Sequence, residues 1–197
     1  MAKTRGEGTR IMDTLKTFKE FLNDEHAEDM FITGQAGTGK TTDLARLVQH
    51  CIDNHIIYTT CAFTHKACGV LRTKFPENAN VETLHKRLKK RPTINDRAHR
   101  QDQIKQSSQM GTPETLRVMF IDEFSQVGER DLMSIREMQE SEDEEGNEIP
   151  VMKVVWLGDL NQLPPVGDQQ TIKPHGKYWC KLTKIYRQSK DNPLIEP

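Results

Sequence analysis

A glycine-rich segment between a short apolar run and an amphipathic stretch constrains the fold of this chain more than any other feature. Residues 34–41 read GQAGTGKT, which matches the pattern GxxxxGK[ST], and they directly follow the apolar residues 30–33. A helix is predicted to begin near Lys40. In this strand–loop–helix context, glycines let backbone amides and the helix N-terminus surround a phosphate group. The segment therefore predicts a phosphate-binding loop at the end of a buried strand.

The loop also predicts roles for its own side chains. Lys40 is expected to reach the terminal phosphates of a nucleotide, and the Thr41 hydroxyl is expected to join a Mg²⁺ ion. The predicted nucleotide-binding residues are Gly34, Gln35, Ala36, Gly37, Thr38, Gly39, Lys40, Thr41 and Thr42. A coincidental glycine-rich turn is the alternative, and the predicted flanking strand and helix argue against it.

Short apolar runs alternate with helical patterns along the rest of the chain. The predicted strands cover residues 30–33, 56–61, 118–121 and 154–157. The predicted helices cover residues 11–22, 40–51, 66–74 and a segment between the last two strands. Strands that are apolar throughout are typical of a parallel sheet buried on both faces. We therefore predict an α/β fold of the P-loop NTPase class, with helices on both faces of a parallel sheet.

Length and composition limit the number of domains and the class of partner. The 197 residues, 35% hydrophobic and 29% charged, fit one domain with a core of its own and long polar excursions. Because the formal net charge is −1, any nucleic-acid contact is expected to come from a local groove. The four cysteines form no CxxC pair, which indicates reduced thiols. With no signal peptide or membrane-spanning run recognisable, we expect a cytoplasmic protein without membrane contact.

Two polar stretches interrupt the alternation of strands and helices. Residues 89–115 are interpreted as an excursion or insertion, and the acidic residues 137–148 as a solvated loop before the last predicted strand. The expected organisation is a polar segment and helix over residues 1–28, followed by one ATPase domain over residues 29–197. The basic residues 86–91 either follow a phosphate backbone or form an ordinary solvated helix face.

Two acidic residues follow the third predicted strand directly. Asp122 and Glu123 come immediately after the apolar residues 118–121. An Asp that holds Mg²⁺ belongs at the end of such a strand, and a Glu beside it is the natural base for an attacking water. Acidic pairs are common on protein surfaces, so this pair alone is weak evidence for a nucleotide site. The phosphate loop and a third motif strengthen that interpretation.

The third motif is the most specific of the three. Residues 158–166 read GDLNQLPPV and follow the apolar residues 154–157. The motif places the carboxylate of Asp159 and the amide of Gln162 just past a buried strand, where open α/β sheets bind their ligands. Very few ATPases with a phosphate loop continue with GDxxQLPPV, and the segment points to a motor ATPase that acts on nucleic acid.

Together these segments resemble the first RecA-like motor domain of superfamily 1 helicases, and the QLPPV form resembles the RecD/Dda-like 1B branch. Residues 62–67 (AFTHKA) look like motif Ia, residues 83–85 (TLH) like motif Ib, and residues 182–188 (LTKIYRQ) like the start of motif IV. The resemblance implies a 5′–3′ DNA helicase that uses ATP and Mg²⁺ and contacts single-stranded DNA. It further implies work in DNA replication, repair or recombination, with proteins of those processes as partners.

The resemblance also carries residue roles onto this chain. It implies a catalytic set in which Gln162 senses the γ-phosphate and Arg187 contacts it, and a metal pair formed by Thr41 and Asp122. The catalytic set is Lys40, Asp122, Glu123, Gln162 and Arg187. The implied DNA contacts are Phe63, Thr64, His65, Thr83 and His85.

Several of the DNA contacts also have ordinary structural interpretations. A histidine at a helix start, such as His65 or His85, can cap the helix or pack its ring. Phe63 stands where the family has Pro, so it either stacks on a base or fills the core.

The chain departs from the family pattern at three places. No Gln precedes Gln35, although the family reads adenine with such a residue, so base selectivity stays open. Residues 89–115 occupy the position of the family's strand-separating pin without its alternating β-branched and aromatic residues. The second RecA-like domain, with motifs V and VI and the arginine finger, is not recognisable before Pro197. We therefore expect this polypeptide to bind nucleotide and hydrolyse it weakly, either as part of a longer helicase or with a partner.

Two other functions stay open at this point. A non-catalytic module that binds single-stranded DNA or a partner under nucleotide control predicts ATP binding with negligible turnover. A P-loop ATPase that does not act on nucleic acid predicts turnover indifferent to DNA.

Overall fold

The computed structural model describes residues 13–77, 79–89, 117–139, 152–161 and 172–184. The α-helices in these ranges are α1 (Thr14–Leu22), α2 (Lys40–Asp53), α3 (His65–Arg72), α4 (Leu84–Lys89) and α5 (Glu129–Gln139). The strands are β1 (Asp29–Gly34), β2 (Ile57–Ala62), β3 (Val81–Thr83), β4 (Arg117–Asp122), β5 (Met152–Gly158) and β6 (Trp179–Leu182). A 3₁₀ turn, Phe124–Gln126, connects β4 to the segment before α5.

The described strands form one sheet in the order β3-β2-β4-β5-β1-β6. Every pairing in it is parallel. The carboxyl ends of all six strands therefore lie at one end of the sheet, which we call the carboxyl end, and the opposite one is the amino end. The predicted α/β fold with a parallel sheet is confirmed.

Two buried clusters pack on the two faces of the sheet, because successive strand side chains point to opposite faces. On one face, Ile32 of β1 packs with Phe18 of α1 and Leu44 of α2. On the other face, Phe31 packs with a cluster that includes Ile135 of α5. The helices therefore cover both faces, as predicted.

A polar network ties α5 to the amino end of the sheet. The carboxylate of Asp29 lies 2.7 Å from an Arg136 guanidinium nitrogen and accepts a hydrogen bond of 2.8 Å from Trp156 Nε1. The Arg136 guanidinium also lies over the Trp156 ring, 5.9 Å from its centroid. Beside this network, Lys153 Nζ donates to the carbonyl oxygens of Asp24 and Ala27 at 2.6 and 2.5 Å.

The four predicted strands are present, with ends that differ by one or two residues. The largest difference is at β5, which begins at Met152 rather than at residue 154, because Lys153 is buried and finds carbonyl partners. β3 and β6 were not predicted. β3 has only three residues, and β6 contains Lys181, so neither forms an apolar run long enough to stand out.

The polar stretches lie largely outside the described residues. α5 extends to Gln139, so the prediction that residues 137–148 form a loop is wrong for its first three residues, which are helical. Residues 140–148 and all of the predicted insertion except Lys89, the last residue of α4, lie outside the described ranges.

All four cysteines are buried free thiols, as predicted. Burial raises the pKa of the Cys51 and Cys61 thiols to about 12. Within the described ranges, no helix combines the length and the apolar character needed to cross a bilayer.

Candidate functional site

The glycine-rich loop joins β1 to α2 at the carboxyl end of the sheet. Gly37 and Gly39 have φ values of 83° and 93°, in the left-handed region that favours glycine. Gly39 is the N-cap of α2, so the first amides of this helix have no side-chain cap from it. The N-terminal amides of a helix lack intrahelical partners and suit a bound phosphate. The geometry of the loop therefore fits phosphate binding.

Lys40 is held within the loop by backbone oxygens. Its ammonium donates to the carbonyl oxygens of Gly34 at 2.5 Å and Gln35 at 3.2 Å, and the residue is 9% exposed. The Thr38 hydroxyl also donates to the Gln35 carbonyl, at 2.8 Å. Because these carbonyls carry no net charge, the positive charge of Lys40 is not cancelled by them and can attract a phosphate.

Asp122 ends β4, two strands away from the loop in the sheet. The pKa of this carboxyl group is raised to about 6, mainly by burial and also by the negative charge of Glu123, and the positive charge of Lys40 opposes both effects. The interaction with Lys40 shows that Asp122 shares one electrostatic environment with the phosphate loop. A cation beside Asp122 would favour its ionised form.

Oxygen ligands for Mg²⁺ are present beside the phosphate loop. In the part of the chain that the structure describes, no group of three or more His, Cys, Asp or Glu side chains could hold a metal ion by itself. Mg²⁺ usually takes one or two protein oxygen ligands and completes its shell with substrate phosphates and water. The Thr41 hydroxyl and the Asp122 carboxylate are suitable oxygen ligands of that kind, so the residues present fit a Mg²⁺ that arrives with a nucleotide.

Glu123 has an unusual backbone conformation. Its φ of 61° and ψ of 54° lie in the left-handed region, which non-glycine residues rarely adopt. Strained residues of this kind concentrate at functional sites, where the surrounding fold enforces them. The 3₁₀ turn that follows provides such support, because Phe124 is buried and its ring meets the Phe31 ring edge-on, with centroids 6.1 Å apart.

The third motif begins against this same turn. A Cβ atom at Gly158 would lie 2.7 Å from Cδ1 of Phe124, closer than real contacts allow, so only glycine lets β5 approach the turn so closely. Asp159 follows, 8% exposed, and its Oδ1 accepts a hydrogen bond of 3.0 Å from the amide of Asn161. The sequence analysis named Gly158 only as part of a motif, and its packing role becomes visible in three dimensions.

The sheet places the three motifs at neighbouring strand ends. β5 lies between β1 and β4, with Gly158 opposite Thr33 on one side and Leu157 opposite Asp122 on the other. The phosphate loop, the acidic pair and the start of the third motif therefore lie at neighbouring strand ends of the sheet. Gln162 and Arg187, the predicted contacts to the γ-phosphate, lie outside the described residues.

The five predicted DNA contacts lie at the carboxyl ends of the two strands on the other side of the acidic pair. Phe63 and Thr64 follow β2, and Thr83 ends β3 directly opposite Ala62. Thr64 caps α3, because its hydroxyl oxygen accepts a hydrogen bond from the Ala67 amide at 3.0 Å. The Thr83 hydroxyl oxygen likewise accepts a hydrogen bond from a backbone amide in the first turn of α4. Both threonines therefore stabilise the start of a helix.

Two exposed histidines stand beside these threonines. His65 is the first residue of α3, after its cap, and His85 is the second residue of α4. Phe63 is half-buried, packs against the core, and meets the His85 ring edge-on at a centroid distance of 6.5 Å. On the α5 side, His85 Nε2 lies 3.5 Å from Asp131 Oδ2. The sequence analysis did not single out Asp131, because nothing in the local pattern indicates this contact.

Comparison with known proteins identifies related domains. The profile of the AAA domain family AAA_19 matches residues 20–168. The uncharacterized protein R530 of Acanthamoeba polyphaga mimivirus is 26% identical over an alignment of 198 residues, which covers 91% of this chain and 38% of that protein.

Solved structures of Pif1 helicases share the fold. Bacteroides sp Pif1 in complex with ADP-AlF4 has a TM-score of 0.56 at 23% identity, covering 91% of this chain and 43% of that one. Bacteroides Pif1 bound to ssDNA has a TM-score of 0.54 at 24% identity, with 91% and 43% covered. Candida albicans Pif1 has a TM-score of 0.58 at 20% identity, with 95% and 42% covered.

The chain thus spans less than half the length of the relatives it matches. The matched family covers most of its residues, including the phosphate loop, the acidic pair and the third motif. This chain therefore belongs to the AAA domain family AAA_19, and it shares its α/β fold with the solved Pif1 helicases.

Proposed function

We propose that this chain is the first motor domain of an ATP-dependent DNA helicase, which binds and hydrolyses Mg·ATP and contacts single-stranded DNA. The observation that carries the proposal is the meeting of the phosphate loop, Asp122 and the third motif at neighbouring ends of β1, β5 and β4. The ADP-AlF4 and ssDNA complexes of Bacteroides Pif1 support it, because those proteins bind both ligands on the same fold.

The nucleotide is bound by the loop and by α2. Backbone amides of residues 34–42 surround the phosphates, and Lys40 Nζ leaves its carbonyl partners in part to contact the terminal phosphate oxygens. Thr41 and Asp122 hold Mg²⁺. When bound, Mg²⁺ neutralises charge on the β- and γ-phosphate oxygens.

Glu123 activates the water that attacks the γ-phosphorus. A water proton moves to the Glu123 carboxylate while the water oxygen bonds to phosphorus and the bond to the ADP oxygen breaks. The rigid turn that holds Glu123 fixes the direction of its carboxylate relative to the loop. We assign to Gln162 the sensing of the γ-phosphate and to Arg187 the neutralisation of its charge.

Single-stranded DNA is proposed to cross the ends of β2 and β3. His65 and His85 present exposed rings there, next to the half-buried Phe63. The two threonines, Thr64 and Thr83, shape this surface through the caps they provide and lie at the strand positions that correspond to motifs Ia and Ib. Movement from 5′ to 3′ and work in replication, repair or recombination are part of the same proposal.

The steady-state ATPase rate of this polypeptide, with and without a single-stranded oligonucleotide, tests the proposal. The Lys40→Ala protein is the blank. Stimulation of turnover by the oligonucleotide supports a working motor site. Binding of ATP and oligonucleotide without stimulated turnover favours a nucleotide-controlled binding module, and turnover that ignores the oligonucleotide favours an ATPase that does not act on nucleic acid.

A further inference from the structure

We propose that Asp131 is a positioning residue that fixes the ring of His85 at the nucleic-acid surface. The inference rests on the proposed function, since it assigns Asp131 a role in single-stranded DNA binding. No motif in the sequence points to Asp131, and the assignment depends on one tertiary contact between α4 and α5.

The His85 ring is held on two sides although most of it is exposed. Its Nε2 atom lies 3.5 Å from Asp131 Oδ2, with 60% of the His85 side chain and 24% of the Asp131 side chain exposed. The Phe63 ring lies at 89° to the imidazole, 6.5 Å away between centroids. A free surface side chain loses rotamer entropy when it binds a ligand, and a ring that is already held loses less.

The carboxylate also selects a state of the ring. An ionised carboxylate only accepts hydrogen bonds, so Asp131 favours the form of His85 that carries a proton on Nε2. Nδ1 then remains for the bound strand: it accepts a hydrogen bond from an amino or imino group of a base when the ring is neutral, and it donates to a phosphate only in the protonated ring. Asp131 thereby determines both the orientation and the bonding capacity of the exposed imidazole.

α5 connects this contact to the hydrolytic site. The helix begins at Glu129, shortly after the 3₁₀ turn that follows Glu123, and Asp131 lies in its first turn. Ile135 and the ion pair between Arg136 and Asp29 fix the rest of the helix against the sheet. The Asp131 carboxylate therefore stands on a helix whose position is set by the sheet, next to the turn that carries Glu123.

The sign of a mutational effect separates positioning from simple charge. A carboxylate near bound DNA repels phosphates, so removal of Asp131 would tighten binding if its charge were all that mattered. If Asp131 positions His85, its removal weakens binding in spite of the lost repulsion. Asp131→Asn keeps an acceptor oxygen and loses the charge, and it should therefore retain most of the binding.

Fluorescence anisotropy with a labelled oligothymidylate measures these effects. We expect Asp131→Ala to weaken binding about two- to fivefold, the size of one partly exposed ionic contact. ATP affinity should be unchanged. Glu129→Ala is the matched control, because it removes an exposed acidic side chain from the same first turn of α5 and should not weaken binding.

The double variant decides whether Asp131 acts through His85. In the His85→Ala background, Asp131→Ala should have no further effect on the oligonucleotide affinity. Tighter binding by Asp131→Ala, or an equal loss with and without His85, would overturn the inference while leaving the proposed function intact.

A measurement without DNA keeps the two proposals separate. Long-range ¹H–¹⁵N NMR spectra of the free protein should show the His85 proton on Nε2 in the wild type and in Asp131→Asn, and a mixture of tautomers in Asp131→Ala. Identical ring spectra in all three proteins would rule out positioning by Asp131. If the wild type failed to bind the oligonucleotide, the proposed function would fall, and the spectra alone would decide on the Asp131 contact.

Discussion

Partly buried carboxylates occur at both ends of the sheet, and their surroundings differ in kind. At the amino end, Asp29 contacts the Arg136 guanidinium and the Trp156 indole, and a hydrogen bond from Tyr178 lowers the pKa of Asp24. At the carboxyl end, burial raises the pKa of Asp122 to about 6. At the amino end, side chains of the protein itself donate to the carboxylates. At the carboxyl end, burial disfavours the ionised form of Asp122.

The difference teaches how to separate structural from functional charges in this fold. A buried charge with good partners holds elements together, and removing one partner is costly. A carboxylate kept ionised against its surroundings gains from an incoming cation, and perturbed pKa values of this kind concentrate at functional sites. Variants at the carboxyl end should therefore reduce ligand binding and turnover without loss of stability, whereas variants at the amino end should destabilise the protein.

Glu123→Gln is expected to produce the largest effect, confined to turnover. The substitution removes the proposed proton acceptor, and general-base catalysis is typically worth about 10²–10⁴ in rate. ATP binding should persist. Single-turnover hydrolysis and nucleotide titration on the same protein measure the two quantities, with Glu129→Gln as the exposed acidic control. An unchanged rate would remove Glu123 from its role.

Lys40→Ala should weaken ATP binding about 100-fold, because charge-assisted hydrogen bonds to the phosphates contribute ~3 kcal/mol together. The thermal midpoint should change little, since the bonds lost within the protein join Lys40 only to two loop carbonyls. Titration with a fluorescent ATP analogue measures the affinity. Lys16→Ala, at an exposed position of α1, is the control. A large loss of stability in Lys40→Ala would contradict the expectation that variants at the carboxyl end act on ligand binding.

Arg136→Ala should destabilise the protein by about 2–3 kcal/mol without changing ATP affinity, because Asp29 would stay mostly buried without its charged partner. The expectation is lower than for a fully buried pair, since the Arg136 side chain is 31% exposed. Urea denaturation measures the free energy of unfolding. Arg130→Ala, an exposed arginine on the same helix, should cost far less, and similar losses in both variants would contradict a special role for the Asp29 pair.

The smallest effect is a pair of opposite pH dependences. Because the pKa of Asp122 is raised from 3.8 to about 6, the folded state binds a proton in that window that the unfolded state does not. The stability from this proton is lost as pH rises through the window. Asp122→Asn should therefore be more stable than the wild type at pH 7.5 by about 1–2 kcal/mol, less than the ~3 kcal/mol of the full pKa shift because Asp122 is partly exposed and solvent screens its charge. The gain should shrink as pH falls below 6.

Asp24→Asn should behave in the opposite way. Because the pKa of Asp24 is lowered in the folded state, its ionised form stabilises the protein at pH values above the pKa of the unfolded state. This contribution is lost as pH falls through the lowered pKa. We expect the variant to be less stable than the wild type at pH 7.5 and to approach it in acid. Denaturation curves of both variants over pH 3.5–7.5 would contradict the comparison if the two differences had the same sign.

Much of the site follows from local sequence. The glycine-rich loop, the acidic pair and the third motif each follow an apolar run, and a parallel sheet brings the carboxyl ends of such runs together. The contacts that hold the site in place were not predictable in this way. Asp29 and Trp156 are 127 positions apart in the chain, and neither β3 nor β6 has a strong pattern of its own.

The sequence by itself determined the fold class, the phosphate loop and the identity of the residues proposed to handle phosphate and Mg²⁺. It could do so because glycines, apolar runs and adjacent carboxylates act over a few residues. Only the tertiary structure decided that Asp122 is buried enough for its pKa to rise, that Glu123 is held in a left-handed conformation, and that Asp131 faces His85. These properties depend on which distant segments pack together, and burial and distance are set only when the sheet has assembled.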